Sequence, residues 1–513
     1  MKHQDYVRVP KVLVSTMAAA LISFAGVTSA APTYTISDVL VPPDQYSGEA
    51  DLTPAPVWKP HETDSAATPT YWISSNERGA EEGPPGQETQ FSNKAGITIF
   101  AYGSNAVLST LEIENACIPV VEPNGTLMKR FGGCAPEGAE GHPRHPHGID
   151  IDDANKIAWQ VIEHSGLKWN ATRTSIVRAS NTDEESGLLV AYDISDLTNP
   201  KILRGYVTGH AAEEPAVNPV NHKVYVGNHE PSPTNVRCFA SVVDASAARP
   251  YKFIDLPGTD CVQGVWADPG LNTVNGATHF GQKMYTFNSA NDTIAYSVDI
   301  RGPFDAFVAS LPANQQFTIP ADWILHLHDL ATDRVNHRAY NAIHTIAPAE
   351  EVTDEEGEEV ETATGENEFT GRWVAEVDTN PNSATFKQVH IIDLSNGQSV
   401  PAVPGHHDAV ATGLPFEQLF IHAHFLDVDP ARNALLVSGE HTGNLAVVNV
   451  PTNWQAPRTL QQALSITRLI PNCTPEELEP HVHGVNIQQT TGTAYVSDEG
   501  EHCFYESVTI LQP

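Results

Sequence analysis

Basic residues are scarce in this sequence: 28 Lys and Arg stand against 63 Asp and Glu, a net charge of −35 over 513 residues. That balance excludes a protein that grips phosphate through a basic face, and nucleic acid as a partner with it. Methionine is nearly absent, at four, while proline and glycine number 38 and 35. No segment sustains a 3.6-residue apolar period, so helical bundles and helical repeats are excluded. Beyond Val27 no apolar run reaches the ~20 residues that span a bilayer. The 40% hydrophobic content still supplies a packed core. The chain is about three times the ~150 residues of a common domain, a size that one large β-barrel or propeller also reaches.

Residues 1–30 read as an export signal. Lys2, Arg8 and Lys11 precede an apolar run from Val12 to Val27 that ends in the small residues Thr28-Ser29-Ala30-Ala31. This is the pattern of a peptide cleaved near Ala30, with an uncleaved anchor as the alternative. Cleavage removes the three basic residues and Asp5, takes the charge from −35 to −37, and implies a periplasmic location. The six cysteines fall as neighbours, Cys117 with Cys134, Cys238 with Cys261 and Cys473 with Cys503, and no CxxC occurs. An oxidising location favours up to three local disulfides. Free or metal-bound thiols are the other reading.

A repeat decides the expected architecture. Passages 147–164, 214–229, 328–344, 424–441 and 483–499 each start with His or Glu, then alternate as a short strand. Each continues through an Asp, Asn or Gln turn into a second strand. A weaker copy runs through QGVWADP at 263–269. Third and fourth strands follow most of these hairpins, and four antiparallel strands repeated roughly every 50 to 65 residues describe a propeller blade. The expectation is an all-β, seven-bladed β-propeller over residues 70–513, with six or eight blades as alternatives. The last unit shows only three strands, so the N-terminal region is expected to supply its fourth. Residues 31–69 suit an extended arm, and the acidic stretch 349–368 suits a solvated loop inserted in one blade.

Histidine is abundant, at 23, and its placement is informative. Four H-x-H pairs, His145/His147, His326/His328, His422/His424 and His481/His483, open the first strand of a blade. Residues i and i+2 of a strand share a side, and first strands are innermost, so the pairs should line the central channel. A second series, His164, His229, His344 and His441, ends the second strands and returns to the same face, and His210 is added as a further ligand. Clustered imidazoles imply a metal site. One zinc or iron takes three or four protein ligands, so the surplus points to several ions, and an exported site rich in imidazole and poor in thiolate favours copper. A single ion with supporting histidines is the alternative.

With these features the sequence resembles the copper-containing seven-bladed propeller enzymes: thiocyanate dehydrogenase most closely, the propeller domain of nitrous oxide reductase more distantly. The resemblance covers Asn93 to Pro513 and rests on architecture and histidine placement. Nitrous oxide reductase also has a cupredoxin domain with a CxxxC copper motif, which this chain lacks. The resemblance implies oxidation of a small anion such as thiocyanate at a multinuclear copper centre, with electrons passed to an external acceptor such as a cytochrome c. Such chemistry needs a proton acceptor and a cation for the anion. Glu213 or Glu214, aligned with the innermost histidines, and Lys94 or Lys129 fit those roles. Two other readings compete: a mononuclear non-haem iron propeller oxygenase, faintly suggested by HDLATD at 328–333, and a non-catalytic propeller that binds a metal or a partner.

Overall fold

Six of the seven hairpins between a first and a second strand close on one residue of left-handed backbone. Lys156, His222, Asn272, His337 and Asn433, with φ between 52° and 57°, stand immediately before second strands, and Gly492 takes this place in the last hairpin. Such a residue ends a tight polar turn and lets the antiparallel pair keep its twist. Two of the histidines, His222 and His337, are therefore turn residues.

The computed structural model describes residues 31–41, 60–76, 95–128, 144–179, 185–231, 238–313, 316, 324–346, 352–353, 359–360, 369–394, 423–467, 482–499 and 507–513, apart from 114, 115, 117, 259 and 280. These residues form an all-β propeller. Five units are four-stranded meanders, one of them with a small extra strand, and one sheet is a curled run of eight strands. The eight-stranded sheet consists of two four-stranded meanders joined through the single pair Asn228↔Val262. Seven innermost strands neighbour one another in a closed ring: Pro60–Ser65, Arg144–Asp152, Ala212–Asn218, Val262–Asp268, Ile324–Asp333, Ala423–Asp429 and Val482–Ile487. Apolar residues on the faces of adjacent units pack into a series of buried clusters between them.

Two propeller strands, one outermost and one innermost, fall within residues 31–69, the stretch expected to be an arm. Thr35–Leu40 pairs antiparallel with Ser507–Gln512 and supplies the fourth strand of the last unit. Pro60–Ser65 is the innermost strand of the first unit. The acidic insertion contributes one short pair, Val352↔Val360 and Thr353↔Glu359. Cys238 and Cys261 are joined, with Cα atoms 4.8 Å apart; Cys117, Cys134, Cys473 and Cys503 lie outside the described residues, as does the export signal. The α-helix Arg301–Ser310 is too short to cross a membrane.

Inner-strand carboxylates join one unit to the next. Asp64 Oδ2 accepts the Ile151 amide at 2.8 Å, Asp150 Oδ2 the Val217 amide at 2.6 Å, and Asp427 Oδ2 the Ile487 amide at 2.6 Å. Burial pushes the Asp427 carboxyl up to about 7, against about 4 in an unfolded chain. The folded state holds this proton more tightly, so the stability it contributes is complete below pH ~4 and is lost as pH rises through about 7. A scanning calorimetry series is expected to show a higher melting temperature at pH 5.5 than at pH 8, with a smaller difference in Asp427→Asn. An unchanged difference in that variant would remove Asp427 as the cause.

Candidate functional site

The seven innermost strands share one irregularity. Each slips register where it enters the channel: the slip in the first strand brackets His61 alone, and the other six bracket a pair of residues that begins with His147, Glu213, Gln263, His328, His424 or His483. A bulge twists the strand and re-aims a side chain, and these slips gather the seven side chains into one belt. His61 Nε2 lies 2.8 Å from His147 Nδ1, and the His61 and His483 rings are 4.0 Å apart. His424 and His483 follow at 4.7 Å, and His328 Nε2 lies 2.8 Å from His424 Nε2. Gln263 donates to Glu213 Oε1 at 2.8 Å and contacts His328 at 2.9 Å; its carbonyl oxygen lies 2.7 Å from His279 and 2.8 Å from His326. His326 and His328 thus both reach Gln263, as an i, i+2 pair on one side should.

Second strands return to the same level and place carboxylates behind the imidazoles. Glu499 contacts His61 and lies 3.7 Å from His483, Glu440 is 3.6 Å from His424, and Glu163 is 3.4 Å from His147. Glu213 pairs with His229 at 3.0 Å. Burial alone raises the Glu213 carboxyl, but the hydrogen bond and charge of His229, with His328 nearby, hold it well below the usual range. His229 is correspondingly lifted to about 9, because Glu213 outweighs the effect of its own burial. Burial lowers the stacked His279 well below the usual histidine value.

Glu214 is not on the belt. It sits one residue further along its strand, beside Glu62, and burial together with the Glu62 charge pushes its carboxyl well up. His210 also stands off the belt: it ends an outer strand, and its Nδ1 lies 3.2 Å from Glu230 on the rim. His164 is 3.7 Å from Glu163. His422, His481, Lys94 and Lys129 lie outside the described residues, as do the side chains of His145, His344 and His441. No Lys or Arg stands on the belt among the described residues.

Sequence reasoning missed His61, His279, Glu163, Glu440 and Glu499. The signal for His61 was a histidine just ahead of the strand TYWIS; that for the carboxylates was the polar residue closing each repeat.

Two groups bring three ligand atoms within 4.8 Å of one another, His61 with Glu62 and His483, and His424 with Glu440 and His483. They share His483. An imidazole and carboxylate donor set without thiolate fits copper, zinc, iron or nickel, and a carboxylate behind a histidine is the usual partner of a metal-bound ring.

This architecture defines the chain as a β-propeller. A chain of Kuenenia stuttgartiensis hydrazine synthase superposes with a TM-score of 0.51 at 9% identity, covering 91% of this chain and 99% of that one. The β-propeller domain of Cps50 (Swd1) from Myceliophteria thermophila gives 0.47 at 9% identity, covering 93% and 99%. At such identity the hydrazine synthase likeness shows the fold alone. No protein-family model matches the sequence, and no curated protein matches it.

Proposed function

We propose that this chain is an exported copper-dependent oxidoreductase whose centre is the imidazole belt of a seven-bladed propeller. The observation that carries the proposal is the convergence of His61, His147, His328, His424 and His483 from one register of five innermost strands. Packing does not select imidazole five times at one position, whereas a soft, nitrogen-loving cation does. These five would hold the copper, with Glu440 and Glu499 orienting the rings. Copper there would accept electrons and attract an anion. Glu213 is offset by its partner His229, whereas the buried Glu440 and Glu499 leave negative charge that a bound cation would offset; it is the number of imidazoles that calls for more than one ion. The count of seven blades takes the curled sheet as two, since one residue pair joins its halves.

The substrate class is a small inorganic anion of sulfur and nitrogen, thiocyanate being our first choice. Thiocyanate and water would give cyanate, elemental sulfur, two protons and two electrons, the electrons leaving to an external acceptor such as a cytochrome c. The Glu213–His229 pair on the belt is our choice to exchange a proton there, with His229 carrying it, and Lys94 remains our choice to steer the anion.

Protein loaded with copper under oxidising conditions is expected to carry more than one copper per chain by mass spectrometric metal analysis, with a copper resonance signal. It is also expected to reduce a dye acceptor when given thiocyanate. One iron or one zinc per chain with no copper uptake sinks the proposal.

A further inference from the structure

One position of the belt is filled by an amide, Gln263, and every hydrogen-bonding capacity of that amide is used. Its nitrogen lies 2.8 Å from Glu213 Oε1 and 2.9 Å from His328 Nε2. Its oxygen lies 2.7 Å from His279 Nδ1 and 2.8 Å from His326 Nε2. The side chain is buried, at 3% exposure. A primary amide carries two N–H donors and two oxygen lone pairs, and these four partners match them one to one.

The partners also fix which end of the amide is which. Glu213 Oε2 pairs with His229 Nδ1 at 3.0 Å, and an anionic carboxylate only accepts, so the amide nitrogen faces Glu213. The oxygen is then turned to His279 and His326, and each of these rings has to present an N–H to it. On the nitrogen side the second N–H meets His328 Nε2, which has to accept. A neutral imidazole in this place offers one donor and one acceptor, and an ionised carboxylate offers no donor. An amide serves all four partners, which accounts for the break of the histidine pattern at Gln263.

We infer that Gln263 is a positioning residue of the belt, one that fixes the ring proton of His279 on Nδ1, that of His326 on Nε2 and that of His328 on Nδ1. The hydrogen bond made by one nitrogen of an imidazole decides what the other can do. His326 spends Nε2 on the amide, so of the pair His326/His328 only His328 turns an Nε2 lone pair toward His424, whose Nε2 is 2.8 Å away. The pair thus divides into one ligand and one brace. The proton pattern stands on hydrogen-bond geometry alone; its bearing on the metal rests on the copper reading.

Nitrogen NMR of the full chain, labelled in its histidine rings and free of metal, tests the inference, because protonated and bare ring nitrogens resonate far apart. The signals are assigned by those missing from His279→Gln, His326→Gln and His328→Gln. The parent is expected to carry the proton on Nδ1 in His279 and His328, the less common form of free histidine, and on Nε2 in His326. Gln263→Glu keeps the shape and removes both donors, so His328 should move its proton to Nε2 while His279 and His326 stay as they are. If that variant melts early, Gln263→Leu decides: His279 and His328 should lose their single fixed form. A parent with the Nε2 form in His279 or His328, or a folded variant with the parent's pattern, overturns the inference. With copper, folded Gln263→Leu should bind about 10–100-fold more weakly, as when a residue that orients a ligand is lost; unchanged affinity overturns the positioning role. A chain that shows the proton pattern but takes no copper leaves the hold of Gln263 on the rings standing and removes the copper proposal.

Discussion

Replacing His424 by alanine is expected to strip copper from the protein and abolish turnover while the propeller stays folded. The ring of His424 sits in the middle of the belt, against His328 on one side and His483 on the other. Removing a ligand should lower metal affinity by at least the ~10–100-fold seen when a supporting residue is lost. The sheet does not depend on it, because the unit is held by Leu426, Val428, Leu435 and Val437 in the apolar layer. His328→Ala and His483→Ala should behave alike. His222, His337 and His390 form the contrast. His222 and His337 sit in turns and bond Asp152 and Asp268, at 2.9 and 2.8 Å, while His390 stacks on Trp454. Their alanine variants should keep full copper. A His424 variant with full copper and full turnover, or a His337 variant that loses both, would move the metal away from the belt.

The largest loss of stability is expected from Glu376→Ala. Glu376 is fully buried and accepts from Arg338 at 2.9 Å and from the Arg458 guanidinium. Its burial favours the protonated form, but His390 and the two arginines outweigh this and hold the carboxyl below its usual value. Both guanidinium groups also lie over Trp454, at 5.3 and 5.1 Å, and Arg338 binds the Pro451 carbonyl, so the cluster ties one unit to the next. Removing the anion leaves two cations in a closed site, and breaking a buried pair in this way typically costs about 3–5 kcal/mol. Denaturant titration should show that loss for Glu376→Ala, and a change below about 1 kcal/mol for the half-exposed His390→Ala. A Glu376 variant as stable as the parent would mean that water reaches the cluster.

The repeating hairpins were legible because their polar turns, such as Val335-Asn336-His337, separate two apolar runs. The innermost position of the second half was legible because His328, His424 and His483 recur at one register. Pro60–Ser65 was hidden: PHETDS has no β-branched run, and its strand is defined by its place against Val482–Ile487 rather than by propensity. His61 and Glu62 were lost with it. Gln263 was visible only as a weak copy, since an amide in place of an imidazole breaks the pattern while keeping the contact. Glu440 and Glu499 could not be assigned from spacing, because what brings them to the belt is the return of the second strand. The level below the belt was illegible for the same reason: Glu62, Glu214 and Asp329 line one cavity only when the ring closes.

That closure gives the channel a part in assembly. His61 and Glu499 are 438 residues apart in sequence yet in contact, and the first and last units also meet through the His61 and His483 rings. The joint between the first and last units is thus also where a cation would sit. During synthesis the chain makes His61 early and Glu499 nearly last, so the belt exists only once the whole polypeptide is available to curl round. The pairing of Thr35–Leu40 with Ser507–Gln512 already clasps this joint, and a metal ion captured in the belt would add a second clasp there, read in how firmly the two ends of the molecule stay together.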